Sequence, residues 1–231
     1  SELEVIFSTW GMICFSDEQL ARMPNLKAVF YAAGATDAFA RPLLNHGIRL
    51  VSAWRANAIP VAEFTVAQII LSMKNYFTNS AAVRGPESWN QKTAGPGCYG
   101  ETVALIGAGA ISGKVQEMLK NFNLKVIVVP SRPERRTISL EEVFRTAYVV
   151  SNHLPNREDN QKILTKEMFA SMRPNATFIN TGRGAQVDEK GLIEVLKQRP
   201  DLTALLDVTW PEPPLEGSEL YTLPNVRLSS H

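Results

Sequence analysis

Short apolar runs alternate with helical patterns along the first sixty residues. The apolar runs predict strands at Val5–Phe7, Leu26–Tyr31 and Arg49–Val51, and the segments between them predict helices at Asp17–Met23, capped by Ser16, and Ala38–His46. Strand, helix and strand at this spacing indicate parallel pairing within a small α/β lobe.

The longest helical pattern runs from Val61 to Phe77 and is apolar over much of its surface. A helix this apolar is expected to be buried, and its place in the chain suggests a position between two lobes. The segment from Arg84 to Tyr99 contains Gly85-Pro86 and Gly95-Pro96-Gly97, which predict a loop.

A second α/β run fills the rest of the chain. Strands are predicted at Thr102–Ile106, Lys125–Val129, Tyr148–Val150, Ala176–Asn180, Thr203–Asp207 and Val226–Leu228, with helices at 113–122, Leu140–Arg145, Lys166–Met172 and Glu189–Gln198. This order predicts a doubly wound parallel sheet of the Rossmann type. The predicted organisation is therefore a smaller lobe over residues 1–60 and a dinucleotide-binding domain over residues 61–231.

Composition narrows the function classes. The 231 residues carry 24 Lys plus Arg against 23 Asp plus Glu, which gives no reason to expect nucleic acid or an anionic membrane as partner. Two cysteines without a CxxC pair argue against a disulfide framework or a metal site and fit a reducing cytoplasm. We recognise neither a signal peptide nor a membrane-spanning run, so a cytoplasmic location is expected.

A glycine-rich loop follows the strand that ends at Ile106. Gly107 permits a tight turn, Gly109 lets the backbone approach a pyrophosphate, and the helix that follows Ala110 and Ile111 offers free N–H groups to phosphates. The usual third glycine is replaced by Ser112. The pattern predicts dinucleotide binding, and the alternative is a glycine-rich turn without function.

The next strand ends without the acidic residue that usually binds the ribose 2′-hydroxyl. Ser131 and Arg132 stand there, and Arg135-Arg136 follow. Serine and arginine can bind a 2′-phosphate that an acid would repel, which favours NADP over NAD; the alternative is a solvated charge cluster. The connection from Ser131 to Leu140 is short, which suggests that residues are missing there.

Three later segments place chemically suitable residues after predicted strands: Asn180-Thr181-Gly182-Arg183-Gly184, Asp207-Val208-Thr209-Trp210-Pro211-Glu212-Pro213 and Leu228-Ser229-Ser230-His231. The carboxyl ends of parallel strands converge, so Arg183, Glu212 and His231 could meet. A protonated histidine can give a proton to a ketone oxygen during hydride delivery, a carboxylate favours that charged form, and an arginine can bind a substrate carboxylate. Taken singly, each residue also has an ordinary structural interpretation.

These segments resemble the D-isomer-specific 2-hydroxyacid dehydrogenases, and the resemblance extends from about Val5 to His231. It is also carried by Ser151-Asn152-His153-Leu154-Pro155, by Ala33-Gly34-Ala35-Thr36-Asp37 and by Asn57 with Val61-Ala62-Glu63. The resemblance implies an oxidoreductase that transfers a hydride between a nicotinamide dinucleotide and a small D-2-hydroxy acid or 2-keto acid. It also implies a flavodoxin-like substrate lobe beside the Rossmann-type domain.

The resemblance assigns roles to particular residues. His231 would be the acid/base, Glu212 its partner, and Arg183 the residue that binds and polarises the substrate. The turn of Ala33, Gly34 and Ala35 would offer N–H groups to the substrate carboxylate. Thr181 and Asp207 would face the nicotinamide, and His153 and Pro155 would lie along the cofactor, although His153 could equally be a structural histidine.

The resemblance also bears on the ends of the chain and on the assembly. Family members carry a further strand–helix unit before Val5 and more chain after the histidine, so we expect the substrate lobe to be incomplete here. Members form dimers through the cofactor domain, so a homodimer is expected. Two alternatives remain: a formate dehydrogenase, against which Glu212 speaks because that enzyme pairs its histidine with glutamine, and a dinucleotide-sensing corepressor like the C-terminal binding proteins.

Overall fold

The computed structural model describes residues 2–231 and divides the chain into two compact units, Ser1–Val61 and Ala62–His231. This division falls one residue after the predicted boundary. Each unit is built on its own parallel sheet.

The first unit contains a three-stranded parallel sheet in the order β1-β2-β3. Its elements are β1 (Val5–Ser8), α1 (Asp17–Ala21), β2 (Ala28–Tyr31), α2 (Ala40–Asn45) and β3 (Arg49–Ser52). The Ser16 hydroxyl accepts a hydrogen bond from the Gln19 amide at the start of α1, which confirms the predicted cap. The core of this unit includes Leu20, Val29 and Leu43.

Helix α3 (Trp54–Met73) begins seven residues before its predicted start. The predicted pattern began at Val61, but the helix includes Pro60 and the six residues before it, so a proline lies in the interior of α3. Ile69 and Met73 are fully buried in the core of the second unit, whereas Ile59, Phe64 and Leu71 are exposed, so the predicted burial holds for only part of the helix surface. Helix α3 is long and apolar enough to cross a membrane, judged by length and composition alone. Buried core helices can have the same length and composition.

The second unit has a six-stranded parallel sheet. Its elements are α4 (Tyr76–Ala82), β4 (Thr102–Ile106), α5 (Ala110–Leu119), β5 (Lys125–Val129), α6 (Leu140–Thr146), β6 (Val149–Asn152), α7 (Lys166–Ala170), β7 (Thr177–Asn180), α8 (Glu189–Gln198), β8 (Thr203–Leu206) and β9 (Val226–Leu228). The strand order is β5-β4-β6-β7-β8-β9. The predicted doubly wound sheet is confirmed.

The helix pattern around the glycine loop differs from the prediction. Helix α5 starts at Ala110 directly after Gly109, three residues before the predicted start at 113, because Ala110 and Ile111 already adopt helical geometry. Asn75 adopts a left-handed conformation that ends α3 and separates it from α4, so the predicted helix through Phe77 is broken there.

The usual doubly wound sheet has the strand order 3-2-1-4-5-6. In the described part of the chain, this sheet has one strand fewer on the side of strand 3. Strand β5 occupies the position of strand 2, and within residues 2–231 no strand pairs with its outer edge. After β5 the chain passes through a short 3₁₀ turn, Pro133–Arg135, and α6, and then crosses β4 to form β6. The short connection predicted after Ser131 is therefore found.

Two apolar layers cover the faces of the sheet. On one face Phe144, Phe169 and Phe178 pack edge to face or tilted, with ring centroids 4.9–6.2 Å apart. On the other face Ile69, Leu105 and Val115 belong to a second buried cluster. Burial of the sheet on both faces explains why β4 and β8 are apolar after their first threonine and why β6 begins with two valines.

Candidate active site at the carboxyl ends of the strands

The carboxyl ends of the parallel strands lie in one row. Ile106 pairs with Val129 and with Asn152, Asn152 with Asn180, Asn180 with Leu206, and Leu206 with Leu228. The residues that follow these ends are Pro130, Gly107, His153, Thr181, Asp207 and Ser229. Four predicted site residues, Gly107, His153, Thr181 and Asp207, therefore occupy successive places along one edge.

The glycine loop has the shape that close approach of a phosphate requires. Gly107 has a φ of +104°, and a Cβ at this position would lie 2.5 Å from the carbonyl oxygen of His153. Gly109 has a φ of −93°, and a Cβ built there meets no atom within 4 Å. Gly107 thus makes the turn, and Gly109 leaves open space immediately before the N-terminus of α5.

A cavity of about 250 Å³ lies beside this loop. Its lining residues are Ala108, Gly109, Pro130, Ser131, Arg132, Arg135, His153 and Pro155. Five predicted cofactor residues, Gly109, Ser131, Arg132, His153 and Pro155, therefore share one cavity, and a space beside a helix N-terminus fits the phosphate-bearing half of a dinucleotide. Ala110 and Ile111 form the first turn of α5 at its margin.

The three arginines after β5 have different surroundings. Arg136 donates from Nε to the carbonyl oxygen of Pro130 at 3.0 Å and from Nη2 to that of Ser131 at 2.8 Å. Arg132 and Arg135 line the cavity, and Arg132 lies 4.0 Å from Glu134. Arg136 thus holds the turn, while Arg132 and Arg135 supply positive charge at the cavity.

His153 is a buried neutral histidine on the wall of this cavity. Its Nε2 lies 2.9 Å from the Ser151 hydroxyl and its Nδ1 lies 3.1 Å from the Thr181 hydroxyl. Burial lowers the pKa of His153 to about 4. The structural interpretation of His153 therefore accounts for both ring nitrogens, and its predicted contact with a cofactor stays a prediction.

The loop that carries Arg183 is packed tightly because of its glycines. A Cβ at Gly182 would lie 2.8 Å from Asn152 Nδ2, and a Cβ at Gly184 would lie 2.0 Å from the Thr209 backbone. Arg183 donates from Nη1 to the Gly182 carbonyl oxygen at 2.7 Å. Contact between Gly184 and Thr209 places the Arg183 loop beside the segment that leads to Glu212.

Glu212 and His231 form a close pair. Glu212 Oε1 lies 2.5 Å from His231 Nδ1, and the two side chains are 39% and 49% exposed. The Glu212 segment is itself held by Glu189 Oε2, which accepts from the Trp210 amide at 3.1 Å, and burial raises the pKa of Glu189. Similarly, the Ser229 hydroxyl donates to Asp207 Oδ1 at 2.8 Å.

The turn of Ala33, Gly34 and Ala35 belongs to the first unit and follows β2. The Ser52 hydroxyl lies 2.9 Å from the Ala33 carbonyl oxygen and 2.7 Å from that of Gly34. A Cβ at Gly34 would lie 2.9 Å from Asn57 Nδ2, which explains the glycine. Binding of a substrate carboxylate by this turn stays a prediction.

Several residues at this edge were missed by the sequence analysis. Asn152, Asn180 and Gln186 are buried amides beside the Arg183 loop, and Ser229 and Glu189 hold other site residues. Polar residues at the ends of apolar strands were a usable signal for Asn152 and Asn180. Gln186 follows no strand, so its burial left no such signal.

Comparison with known proteins decides the family. Residues 66–231 match the family described as D-isomer specific 2-hydroxyacid dehydrogenase, NAD binding domain. The chain belongs to this family. The expected resemblance and the Rossmann-type fold are thus confirmed.

Individual relatives share less than a third of their aligned residues with this chain. The chain is 29% identical over 230 residues to the putative 2-hydroxyacid dehydrogenase YoaD of Bacillus subtilis, covering 94% of this chain and 67% of that protein. It is 31% identical to a D-3-phosphoglycerate dehydrogenase of Methanocaldococcus jannaschii, covering 80% of this chain but only 37% of that protein. The TT0316 protein of Thermus thermophilus has a similar structure, with a TM-score of 0.79, 28% identity and coverage of 97% of this chain and 74% of that one.

We predict that alanine at Gly107 lowers stability, whereas alanine at Gly109 weakens dinucleotide binding. Gly107→Ala should destabilise the fold by about 1–3 kcal/mol, because its φ is positive and its Cβ would meet His153. Gly109→Ala should leave the free energy of unfolding within about 0.5 kcal/mol of the native value but weaken dinucleotide binding. Urea unfolding and titration with NADH and NADPH measure the two effects. Equal destabilisation by both substitutions would contradict this prediction.

His153 predicts a stability change in a defined pH window. Because its pKa is about 4 when folded and 6.5 as its ordinary value, the unfolded chain takes up the proton first as pH falls. This contribution to stability is fully present above pH 6.5 and is lost between pH 6.5 and 4, by roughly 3 kcal/mol. His153→Gln should show a smaller loss of unfolding free energy over this window than the native chain measured in parallel. An unchanged pH dependence would exclude His153 as its source.

Proposed function

We propose that the protein carrying this chain is a nicotinamide-dependent oxidoreductase that interconverts a small 2-keto acid and the D-2-hydroxy acid. The observation that carries this proposal is the Glu212–His231 pair, 2.5 Å apart, in the unit that also holds the glycine loop and the Arg183 loop. The family, and the dehydrogenases among its relatives, support the same reaction class.

His231 serves as the proton donor in the reducing direction. Contact between Glu212 and Nδ1 orients the ring and leaves Nε2 as the nitrogen that gives a proton to the developing alkoxide. In the oxidising direction the same nitrogen takes the hydroxyl proton. His153 is unsuited to this role because it is buried, neutral and bound to two hydroxyls.

Arg183 binds the carboxylate of the keto acid and polarises its carbonyl group. One guanidinium N–H is bound to the Gly182 carbonyl oxygen, which fixes the side chain, and the remaining N–H groups can form a fork to a carboxylate. A bound nicotinamide dinucleotide supplies or accepts the hydride. Thr181 and Asp207 are proposed to face its nicotinamide, since both follow strand ends in the same row.

NADP is the dinucleotide that we favour. Ser131, Arg132 and Arg135 line the cavity beside Gly109, and none of them is an acid that would repel a 2′-phosphate. A cytoplasmic homodimer is likewise proposed; the free Cys14 and Cys98 support a reducing compartment. The chain spans 37% of its phosphoglycerate dehydrogenase relative, so these proposals concern the whole protein that contains it.

Turnover of NADPH and NADH with glyoxylate, hydroxypyruvate and phenylpyruvate tests the proposed reaction. His231→Ala should lower kcat by roughly 100- to 10,000-fold while the nucleotide Kd stays unchanged, because only proton transfer is lost. His46→Ala is the matched control, since His46 lies at the end of α2 and contacts Pro42. Undiminished kcat in His231→Ala would remove His231 from catalysis. Saturable nucleotide binding without turnover on any keto acid would favour a dinucleotide sensor.

Cofactor preference is tested at Arg132. Arg132→Ala should raise KM for NADPH by roughly 10- to 100-fold, because a charge-assisted contact with the 2′-phosphate is lost, and should change KM for NADH less than about threefold. Arg145→Ala is the control, because Arg145 is an exposed arginine on α6 that pairs with Glu142. Equal changes for the two nucleotides would refute a phosphate-binding role.

A further inference from the structure

Three buried amide side chains lie directly behind Arg183. Asn152 ends β6, Asn180 ends β7, and Gln186 lies in a 3₁₀ turn that follows Arg183; none is more than 2% exposed. Asn152 Nδ2 lies 2.9 Å from Asn180 Oδ1 and 2.7 Å from Gln186 Oε1. The three amides therefore form one connected network at the carboxyl edge of the sheet.

This network binds both backbone polar groups of Arg183. Gln186 Oε1 accepts from the Arg183 amide at 3.2 Å, and Asn180 Nδ2 donates to the Arg183 carbonyl oxygen at 3.3 Å. Asn180 Oδ1 also accepts from the Gly182 amide at 3.1 Å. The Arg183 backbone is thus held by these side chains and by the Gln186 backbone amide, which donates to the same carbonyl oxygen at 3.4 Å.

Gln186 also fixes the neighbouring cavity wall. Its Nε2 donates to the carbonyl oxygen of Leu154 at 3.0 Å and to that of Pro155 at 2.9 Å. Pro155 lines the cavity beside the glycine loop. One side chain therefore connects the Arg183 loop to the segment after β6.

These contacts require an amide. The side chain at 186 must accept hydrogen bonds through one atom and donate them through another, in a buried position. Glutamate would place acceptor oxygens against the two carbonyl oxygens of Leu154 and Pro155, and leucine would leave buried polar groups without partners. Neither substitution preserves the network.

We propose that Gln186 is a positioning residue that orients Arg183 for the substrate carboxylate. This inference rests on the proposed function, because it requires Arg183 to bind the keto acid. Gln186 itself lies behind Arg183 and acts through that backbone. Its effect on the reaction should therefore disappear when the Arg183 guanidinium is removed.

Gln186→Leu and Gln186→Glu, made in the protein that contains this chain, test the proposal. We expect KM for the keto acid to rise at least about tenfold, with a change of less than about threefold in the Kd of the nucleotide. In an Arg183→Ala background, Gln186→Leu should change kcat/KM by less than about threefold, because the two residues act as one unit. Full additivity of the two substitutions would overturn the proposal.

A matched control separates positioning from general stability. Asn225 is another buried amide of this unit, and it immediately precedes β9, at the amino end of the sheet. Its Nδ2 donates to the carbonyl oxygens of Leu196 and Arg199. Asn225→Leu should lower Tm without changing KM for the keto acid. An equal rise of KM in Asn225→Leu and Gln186→Leu would show that lost stability alone explains the effect, and would overturn the proposal.

Amide hydrogen exchange provides a readout that is independent of turnover. Exchange of the Arg183 amide, which binds Gln186 Oε1, should accelerate at least about tenfold in Gln186→Leu, with no ligand present, and remain at the native rate in Asn225→Leu. Unchanged exchange in Gln186→Leu would overturn the inference even if the dehydrogenase activity is found. If the native protein has no turnover, the proposed function fails and with it the substrate role of Gln186, while faster exchange would still demonstrate its hold on Arg183.

Discussion

Parallel pairing in register is the constraint on which this site depends. Ile106, Asn152, Asn180, Leu206 and Leu228 are successive partners across five strands, so the chain leaves the sheet at the same level each time. Residues that are far apart in the chain, such as Gly107 and Ser229, thereby come to one edge. A slip of one residue in any strand would turn its side chains to the other face and remove its loop from this row.

The edge is polar although the sheet beneath it is apolar, and the structure resolves that conflict by internal hydrogen bonding. His153 binds two hydroxyls, and Asn152, Asn180 and Gln186 bind one another and the nearby backbone. Burying these groups without partners would cost several kcal/mol in total. Once satisfied, they favour a single arrangement of the loops, which is what a site for a defined transition state requires.

The groups that we propose to react and the groups that support them differ in their exposure. Glu212 and His231 are 39% and 49% exposed, as a proton-donating pair that meets a substrate would need to be, whereas the amides that bind the Arg183 backbone are buried. The same division holds after β5, where Arg136 binds backbone oxygens and Arg132 and Arg135 line the cavity. Because arginines of one short segment have these two different surroundings, positive charge alone does not show which of them is free to meet a ligand.

The sequence by itself determined the strands, their order and the loops that carry chemistry, because apolar runs, glycines and prolines report on local conformation and burial. Gly107 and Gly109, and the order of Arg183, Glu212 and His231, were readable in this way. Only the tertiary structure decided that α3 continues through Pro60 and that α5 begins at Ala110. It also decided that Arg136 binds backbone carbonyl oxygens while Arg135 lines the cavity. It alone brought Gln186 to Asn152 and the Arg183 amide. Such pairings join residues from different strands and loops, and a side-chain amide has no local preference that reveals its distant partner.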